Sequence, residues 1–269
     1  MNCAIVIPAF NEARTIRDIA QRSLAQCDIV IVVDDGSTDG TAAALDGLPL
    51  TLLRNDRNRG KAAALWSGFA EGLGRGADAI VTLDGDGQHQ PEDVERLIAA
   101  GLAHPASIVI GARLRRVAAA PRARRFANRF GDFFLSWTCG YPIADSQSGL
   151  RLYPAALLRA LDLPHDENAG FTLESEILIA AAALGCRSVA IPIDAVYPAV
   201  SRRSHFRPVR DIVRIGRMLG RHLFAQRMNP RGLWNSLRKP VWVFEPATVP
   251  EYNAWRRATG TATSASPID

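Results

Sequence analysis

The stretch Ala79–Gln88 reads AIVTLDGDGQ, five apolar or β-branched residues running straight into two aspartates one residue apart. A short continuous apolar run of this kind is the pattern of a strand buried on both faces. Asp84 and Asp86 then stand at its C-terminal end, and the two-residue period of an extended chain puts both on one side. Hard carboxylate oxygens at that spacing suit a divalent cation, Mg²⁺ or Mn²⁺, with phosphates completing the shell. Gly85 and Gly87 let a ligand approach the backbone, and Gln88 offers a neutral oxygen. An earlier run, Ile29–Val33, ends the same way in Asp34, Asp35 and Gly36.

Working outward, strands are expected at Cys3–Ile7, Ile29–Val33, Leu50–Leu53, Ala79–Leu83 and Ser107–Ile110. Helices are expected at Glu12–Leu24, Lys61–Gly72 and Glu92–Gly101, the last with Pro91 and acidic residues in its first turn. Strands of near-continuous Ile and Val separated by helices predict an α/β fold, a mainly parallel sheet covered on both faces. Ligands of such sheets bind beyond the C-terminal strand ends, where the acidic residues fall. The second half is less regular. Helices are expected at Phe126–Cys139 and Thr172–Leu184, a connection at Gly140–Leu150, and an extended segment at Val189–Tyr197 broken by Pro192. The segment Pro208–Phe224 is an amphipathic helix, with Arg210, Arg214, Arg217 and Arg221 on the face opposite Val209, Ile212, Val213, Leu219 and Leu223.

At 269 residues the chain is long enough for one full core. No GxGxxG follows the first strand and no GxxxxGK[ST] is present, which counts against dinucleotide and P-loop chemistry. No run of about 18 apolar residues occurs, and no basic region followed by an apolar core opens the chain. The four cysteines are dispersed and read as reduced thiols. The expected location is the cytoplasm, at the inner face of the cell membrane. The net charge of +5 is concentrated. Arg202–Lys239 holds eleven basic residues against Asp211 alone, and Arg113–Arg129 holds seven with no acid. Such fields attract phosphates, nucleic acid or anionic lipid. Sparse aromatic interleaving argues against a single-stranded nucleic-acid platform.

The strings IVIPAFNEARTI, IVVDDGSTDGT, NRGKAAAL and LDGDGQHQPEDV, in this order and strand context, resemble the family 2 glycosyltransferases, in the branch of dolichol- and polyprenyl-phosphate mannose and glucose synthases. They cover roughly residues 3–95, and IADSQSGLRLY with FTLESEILIAA extends the likeness to about residue 205. The resemblance implies a GT-A fold, a nucleotide-sugar donor of the GDP-mannose or UDP-glucose type, and Mg²⁺ or Mn²⁺. It places Pro8, Ala9, Asn11 and Glu12 at the nucleotide and Asp34 or Asp35 at the base or ribose; Lys61 begins a helix whose free N–H groups and positive end favour a phosphate. Asp84, Asp86 and Gln88 take the metal and diphosphate positions. Arg113 falls in the active-site arginine region, and Asp145, Gln147 and Ser148 in the loop before the acceptor site. Arg202 or Arg203 falls in the late phosphate-holding motif, here SRRSHFRP, with His205 near the expected lysine.

On this reading residues 1–205 form the catalytic domain, divided into a nucleotide half, 1–112, and an acceptor half, 113–205. Residues 206–239 form a basic helical extension and 240–269 an irregular tail. The expected reaction is inverting transfer of a hexose to polyprenyl phosphate at the membrane surface. The alternative is a hydroxyl acceptor, which needs a base from Asp145, Glu174 or Glu176. A nucleotidyltransferase lacks its Gly-rich loop here, and no nucleic-acid partner is expected. The arginine-rich helix either meets anionic lipid, or packs on the domain or pairs two copies as a homodimer.

Overall fold

The computed structural model describes residues 1–115, 122–161, 172–194 and 208–244. Within these the chain builds a seven-stranded sheet in the order β3-β2-β1-β4-β6-β5-β7. The strands are β1 (Cys3–Ala9), β2 (Ile29–Asp34), β3 (Thr51–Arg54), β4 (Ala79–Thr82), β5 (Ile108–Arg115), β6 (Arg151–Pro154) and β7 (Ser188–Asp194). All pairings are parallel except those of β6, which runs antiparallel to both β4 and β5. The helices are α1 (Ile16–Leu24), α2 (Lys61–Gly74), α3 (Asp93–Ala103), α4 (Arg122–Cys139), α5 (Ala155–Ala160), α6 (Leu173–Ala183), α7 (Pro208–Ala225) and α8 (Pro230–Arg238).

Alternation along β1 divides the core. Ala4 and Val6 face a layer that includes Ala62, Leu65 and Phe69 of α2 and Ile177 of α6. Cys3, Ile5 and Ile7 face the other, with Ile16 and Ile19 of α1 and Leu97 of α3. Both faces are covered, so both sets of alternate residues are apolar, and the strands read as continuous runs.

The topology places the site. Strands β1, β2 and β3 progress in one direction, and the chain then crosses to lay β4 on the other side of β1. The crevice at the C-terminal ends of β1 and β4 is therefore the switch point of the sheet. Pro8 fits there because the β1–β4 ladder ends at the pair Val6–Thr82. A proline nitrogen beyond that point leaves no ladder bond unmade.

Four expectations change. Strand β6 was not foreseen: RLYP is four residues, too short for an alternation to show, and its burial is set by the strands on either side. The α1 helix begins at Ile16 rather than Glu12, because Asn11 takes a left-handed backbone (φ 57°) that ends the strand in a turn. Residues 85–88 form a turn as well, so Asp84 and Asp86 are not on an extended chain; Gly87 supplies its left-handed corner (φ 78°). Pro192 does not break β7: Ala190, two residues earlier, directs its N–H to Trp242 O on the strand's outer side, and Pro192 faces that same side, where its missing donor is tolerated.

Helix α7 is part of the domain's core. Met218 and Leu219 join the layer built on α2 and α6. Beyond α8, Ala190 N donates to Trp242 O at 2.9 Å and Phe244 N to Ala190 O at 2.8 Å, so this segment covers the outer edge of β7.

Candidate active site

Three loops meet at the switch point, and each is held by its own hydrogen bonds. In the first, Asn11 N donates to Ser37 Oγ at 2.8 Å, Thr38 N to Asn11 Oδ1 at 2.9 Å, and Glu12 N to Thr41 Oγ1 at 2.8 Å. Thr15 Oγ1 reaches Gly85 O at 2.7 Å, tying this loop to the turn after β4. Pro8, Ala9, Asn11 and Glu12 are thus together at the end of β1.

The Asp34–Asp35 pair looks inward. Asp34 is fully buried; its Oδ1 accepts from Ser37 N at 2.9 Å, and its Oδ2 lies 3.3 Å from Arg54 Nε. Asp35 accepts from Asn55 Nδ2 at 2.8 Å, Arg59 N at 2.9 Å and Gly60 N at 2.7 Å. The last two are orphan donors at the start of α2, so Asp35 acts as a helix cap supplied from another strand. Both carboxylates are turned into the chain, and Asp34 Oδ2 has no hydrogen-bond partner there. Gly36 explains the close packing: with φ +74°, it brings the position a Cβ would occupy within 2.5 Å of the Arg57 backbone.

The second acidic pair is held differently. Lys61, at the first position of α2, places Nζ 2.7 Å from Asp84 Oδ1 and 3.3 Å from both carboxylate oxygens of Glu174. Burial works against the ammonium, but the charges of Asp84 and Glu174 outweigh it and raise its pKa. Burial likewise works against the Asp84 carboxylate; Lys61 and His89 outweigh it and hold its pKa below the usual range. Asp86 is perturbed in the opposite direction: burial first, then the charge of Asp84, pushes its pKa up. Gln88 N donates to Asp86 Oδ1 at 3.0 Å, and the Gln88 side-chain amide donates to Oδ2. A carboxylate ionised against burial and a neighbouring negative charge is stabilised by an added cation. The donor set, two carboxylates and an amide, is hard oxygen chemistry. These residues therefore fit a divalent ion. Among the described residues no group of three or more His, Cys, Asp or Glu is arranged to hold one by itself.

The third loop arrives through β6. Because β6 is antiparallel, its first residue, Arg151, pairs with Thr82 at the end of β4 and with Ile110 on β5. The residues before it, 145–150, are delivered between the two strand ends. Asp145 there meets Arg113 near the C-terminal end of β5: Nε donates to Oδ2 at 2.7 Å, Nη2 to Oδ1 at 2.6 Å, and the Arg113 backbone N to Oδ2 at 2.8 Å. Burial raises the Asp145 pKa, but the bidentate Arg113 prevails and holds it low. Ser148 Oγ donates to Gly111 O at 2.6 Å, whereas Gln147 is exposed. Gly149 lies against Asp84, and any Cβ at this position would collide with the Asp84 carboxylate.

Three residues of this site were missed. Arg151 is wholly buried, and its guanidinium donates to Ser148 O at 2.8 Å, Glu174 O at 2.9 Å and Ser146 O at 2.6 Å. It joins the loop that carries Asp145 to the helix start that carries Glu174. Asp132 of α4 accepts from Ser146 N at 2.7 Å and holds the same loop from outside. His89 is buried, with Nδ1 unpaired, and its pKa is lowered to about 4 by burial first, in the field of Asp84, Arg113 and Asp145. Only His89 had a signal in the sequence, its place beside Gln88.

Of the remaining expected residues, Arg202, Arg203 and His205 lie outside the described part of the chain, as does Arg116.

Comparison with known proteins agrees with this geometry. The family model "Glycosyl transferase family 2" matches residues 4–161. An undecaprenyl-phosphate mannosyltransferase of Micrococcus luteus is 32% identical over 204 residues, covering 72% of this chain and 83% of that protein. A polyprenol monophosphomannose synthase of Mycolicibacterium smegmatis is 32% identical over 202 residues, covering 70% and 75%. Among solved structures, glucosyl-3-phosphoglycerate synthase of Mycobacterium tuberculosis, in complex with Mn²⁺, UDP and glucosyl-3-phosphoglycerate, superposes with a TM-score of 0.56 at 22% identity, over 84% of this chain and 79% of that one. A GT-A sheet, an acidic turn at its switch point and a family match over more than half of the sequence lead to one assignment: the chain belongs to glycosyl transferase family 2 and is a glycosyltransferase.

Proposed function

We propose that the protein transfers a hexose from a nucleotide sugar to polyprenyl phosphate by single displacement, with inversion at the anomeric carbon. The relatives that share about a third of its sequence are named for transfer to undecaprenyl phosphate and for polyprenol monophosphomannose synthesis. The donor is of the GDP-mannose or UDP-glucose type. Asp84 and Asp86, with Gln88, are the residues that would hold Mg²⁺ or Mn²⁺. When bound, the ion supplies neutralisation of the charge that develops on the departing diphosphate. The fold neighbour was crystallised with Mn²⁺ and UDP.

The chain's own residues divide the remaining work. Asn11 and Glu12 wall the nucleotide pocket, in a loop that Ser37 and Thr41 fix. Asp34 and Asp35 act through that wall and the start of α2. Lys61 balances Asp84 and stands at the α2 N-terminus, where free N–H groups favour phosphate. Arg113, steered by Asp145, presents a guanidinium edge for phosphate oxygens. Arg202 or Arg203 is assigned to the acceptor phosphate.

One observation favours a phosphate acceptor over a hydroxyl. Of the three carboxylates expected as bases, Asp145 is locked to Arg113 and Glu174 is paired with Lys61, while Glu176, two residues further along α6, lies on a different face of the helix from Glu174. Neither Asp145 nor Glu174 is free to take a proton. A phosphate oxygen is already ionised at neutral pH, so positioning rather than base catalysis carries the step. The test is chemical. With radiolabelled donor and a polyprenyl phosphate, the lipid-extractable product should release its sugar in mild acid, as a glycosyl phosphodiester does. A product stable to mild acid would point instead to a hydroxyl acceptor.

Among the described residues no helix is long and apolar enough to cross a membrane. We place the protein at the membrane surface as a peripheral enzyme.

A further inference from the structure

The sequence pointed to α7 as the membrane-facing element, through its apolar stripe and its arginines. The structure uses the C-terminal half of that stripe elsewhere, while Val213 is 46% exposed. Met218, Leu219 and Leu223 are buried, and the first two belong to the domain core. The exposed apolar surface lies just beyond. Seven of the thirteen large apolar side chains exposed in the described residues fall between 213 and 244. Phe224 is 83% exposed, Leu237 65%, Trp234 56% and Met228 50%.

Helix α8 is inverted for a helix in water. Its inner side is polar or bare: Gly232 packs against Trp137 O, and Asn235 Nδ2 donates to Gly140 O at 3.0 Å. Its outer side, at three- and four-residue spacing, carries Arg231, Trp234, Leu237 and Arg238. An amphipathic helix at a protein surface ordinarily turns its apolar stripe inward; here Trp234 and Leu237 point out. The attachment is nonetheless firm. Asn229 caps α8, accepting from Gly232 N at 2.9 Å, and Trp137 Nε1 donates to Met228 O at 2.9 Å. The outward direction is thus fixed by specific bonds to α4.

Charge identifies the partner. Between residues 212 and 244 there is no aspartate or glutamate. Arg217, Arg221, Arg231, Arg238 and Lys239 are all exposed around the apolar group, and the Arg238 guanidinium lies 3.8 Å from the centre of the Trp234 ring. Large aromatic and aliphatic side chains among exposed arginines and a lysine match the boundary between acyl chains and anionic headgroups.

We infer that the outer face of α8, with Phe224 and Met228 at the end of α7, inserts into an anionic bilayer and is the element that seats the enzyme on the membrane. This rests on the lipid-acceptor reading and names the contact that would bring the site to the acceptor. Insertion depends on Trp234 and Leu237; the arginines add a salt-sensitive part.

The test is sedimentation of the full-length protein with vesicles of phosphatidylglycerol and phosphatidylcholine that contain no polyprenyl phosphate. The wild type should bind. W234Q/L237Q should lower the partition coefficient about tenfold or more at every salt concentration, with an unchanged melting temperature because both side chains are exposed. R231Q/R238Q should weaken binding mainly at low salt. Equal vesicle binding by W234Q/L237Q and wild type would overturn the inference. So would a dimer, seen by sedimentation velocity, that W234Q/L237Q dissociates while no vesicles are bound. Tight duplex-oligonucleotide binding without vesicle binding would overturn it in favour of nucleic acid. Sugar transfer to polyprenyl phosphate that persists without vesicle binding sinks this inference alone; vesicle binding without such transfer sinks the acceptor reading alone.

Discussion

The parallel strands β2 and β4 both end in paired carboxylates, and the two pairs are satisfied by different means. At the end of β2, Asp34 and Asp35 are closed to solvent and bonded largely to backbone N–H groups, of Ser37, Arg59 and Gly60. At the end of β4, Asp84 depends on Lys61, a charge brought from another element, and Asp86 carries a raised pKa because it is partly buried beside Asp84. The first pair holds a loop through three backbone N–H groups, with Asp34 Oδ2 left to the Arg54 ion pair alone. The second concentrates negative charge in a crevice, which costs stability until a cation arrives. Identical residues at equivalent strand ends thus differ in which atoms face each carboxylate.

This contrast can be broken most forcefully at Asp84 and Asp86. Asp84→Asn and Asp86→Asn should each lower turnover roughly a thousandfold, since metal-borne charge stabilisation is worth several kcal/mol. Asp86→Asn should melt no lower than wild type, because it removes a carboxylate that the fold holds ionised against repulsion. Steady-state kinetics with a nucleotide hexose, beside a thermal melt, checks both. A variant that loses stability and keeps turnover would make this pair scaffold too.

The next effect is at Arg151. Replacement by Met would leave the carbonyls of Ser146, Ser148 and Glu174 buried without donors, at a cost of about 3 kcal/mol in chemical denaturation. Turnover should fall with it, as the Asp145 loop and the α6 start lose their common tie. Retained stability would mean that the guanidinium is not what binds them.

A comparable effect comes from pH. His89 has a folded pKa of about 4, below its ordinary 6.5. Between those values the unfolded chain binds the proton and the folded one does not, so stability falls as pH drops from about 6.5 to about 4 and then levels off. The loss is about 3 kcal/mol. His89→Gln should flatten that limb in melts taken across the range.

Smallest is Asp35→Ala, which removes a helix cap and should cost about 2 kcal/mol. Its turnover per folded molecule should remain within about tenfold of wild type. That sharpens the contrast, since the same chemical change at Asp86, whose pKa is raised, should act on turnover and hardly on stability.

The donor half was legible because its signals are local. IVVDDG and IVTLDGDGQ each contain strand, turn and acid in one string, and the parallel sheet follows from their repetition. The acceptor half was legible only in part. Asp145 and Arg113 were both picked out by resemblance, but their pairing depends on β6, and RLYP carries no pattern until β4 and β5 flank it. Arg151 reads as an ordinary surface arginine in sequence; its burial is a consequence of three carbonyls brought together by the fold. A helical extension was legible as far as residue 239, but the way α8 faces was not, because Trp234 and Leu237 lie on its outer face and Asn235 on its inner face, the reverse of the pattern that marks a helix on a core.

The central claim is that the carboxylates after β4, unlike those after β2, hold a divalent ion with the donor. The most direct measurement is Mn²⁺ binding in the presence of a nucleoside diphosphate, by calorimetry or electron paramagnetic resonance, for the wild type, Asp84→Asn, Asp86→Asn and Asp35→Asn. The account predicts tight binding to the wild type and Asp35→Asn, and its loss in Asp84→Asn and Asp86→Asn. Undiminished binding in either of the last two, or binding abolished in folded Asp35→Asn, would contradict it.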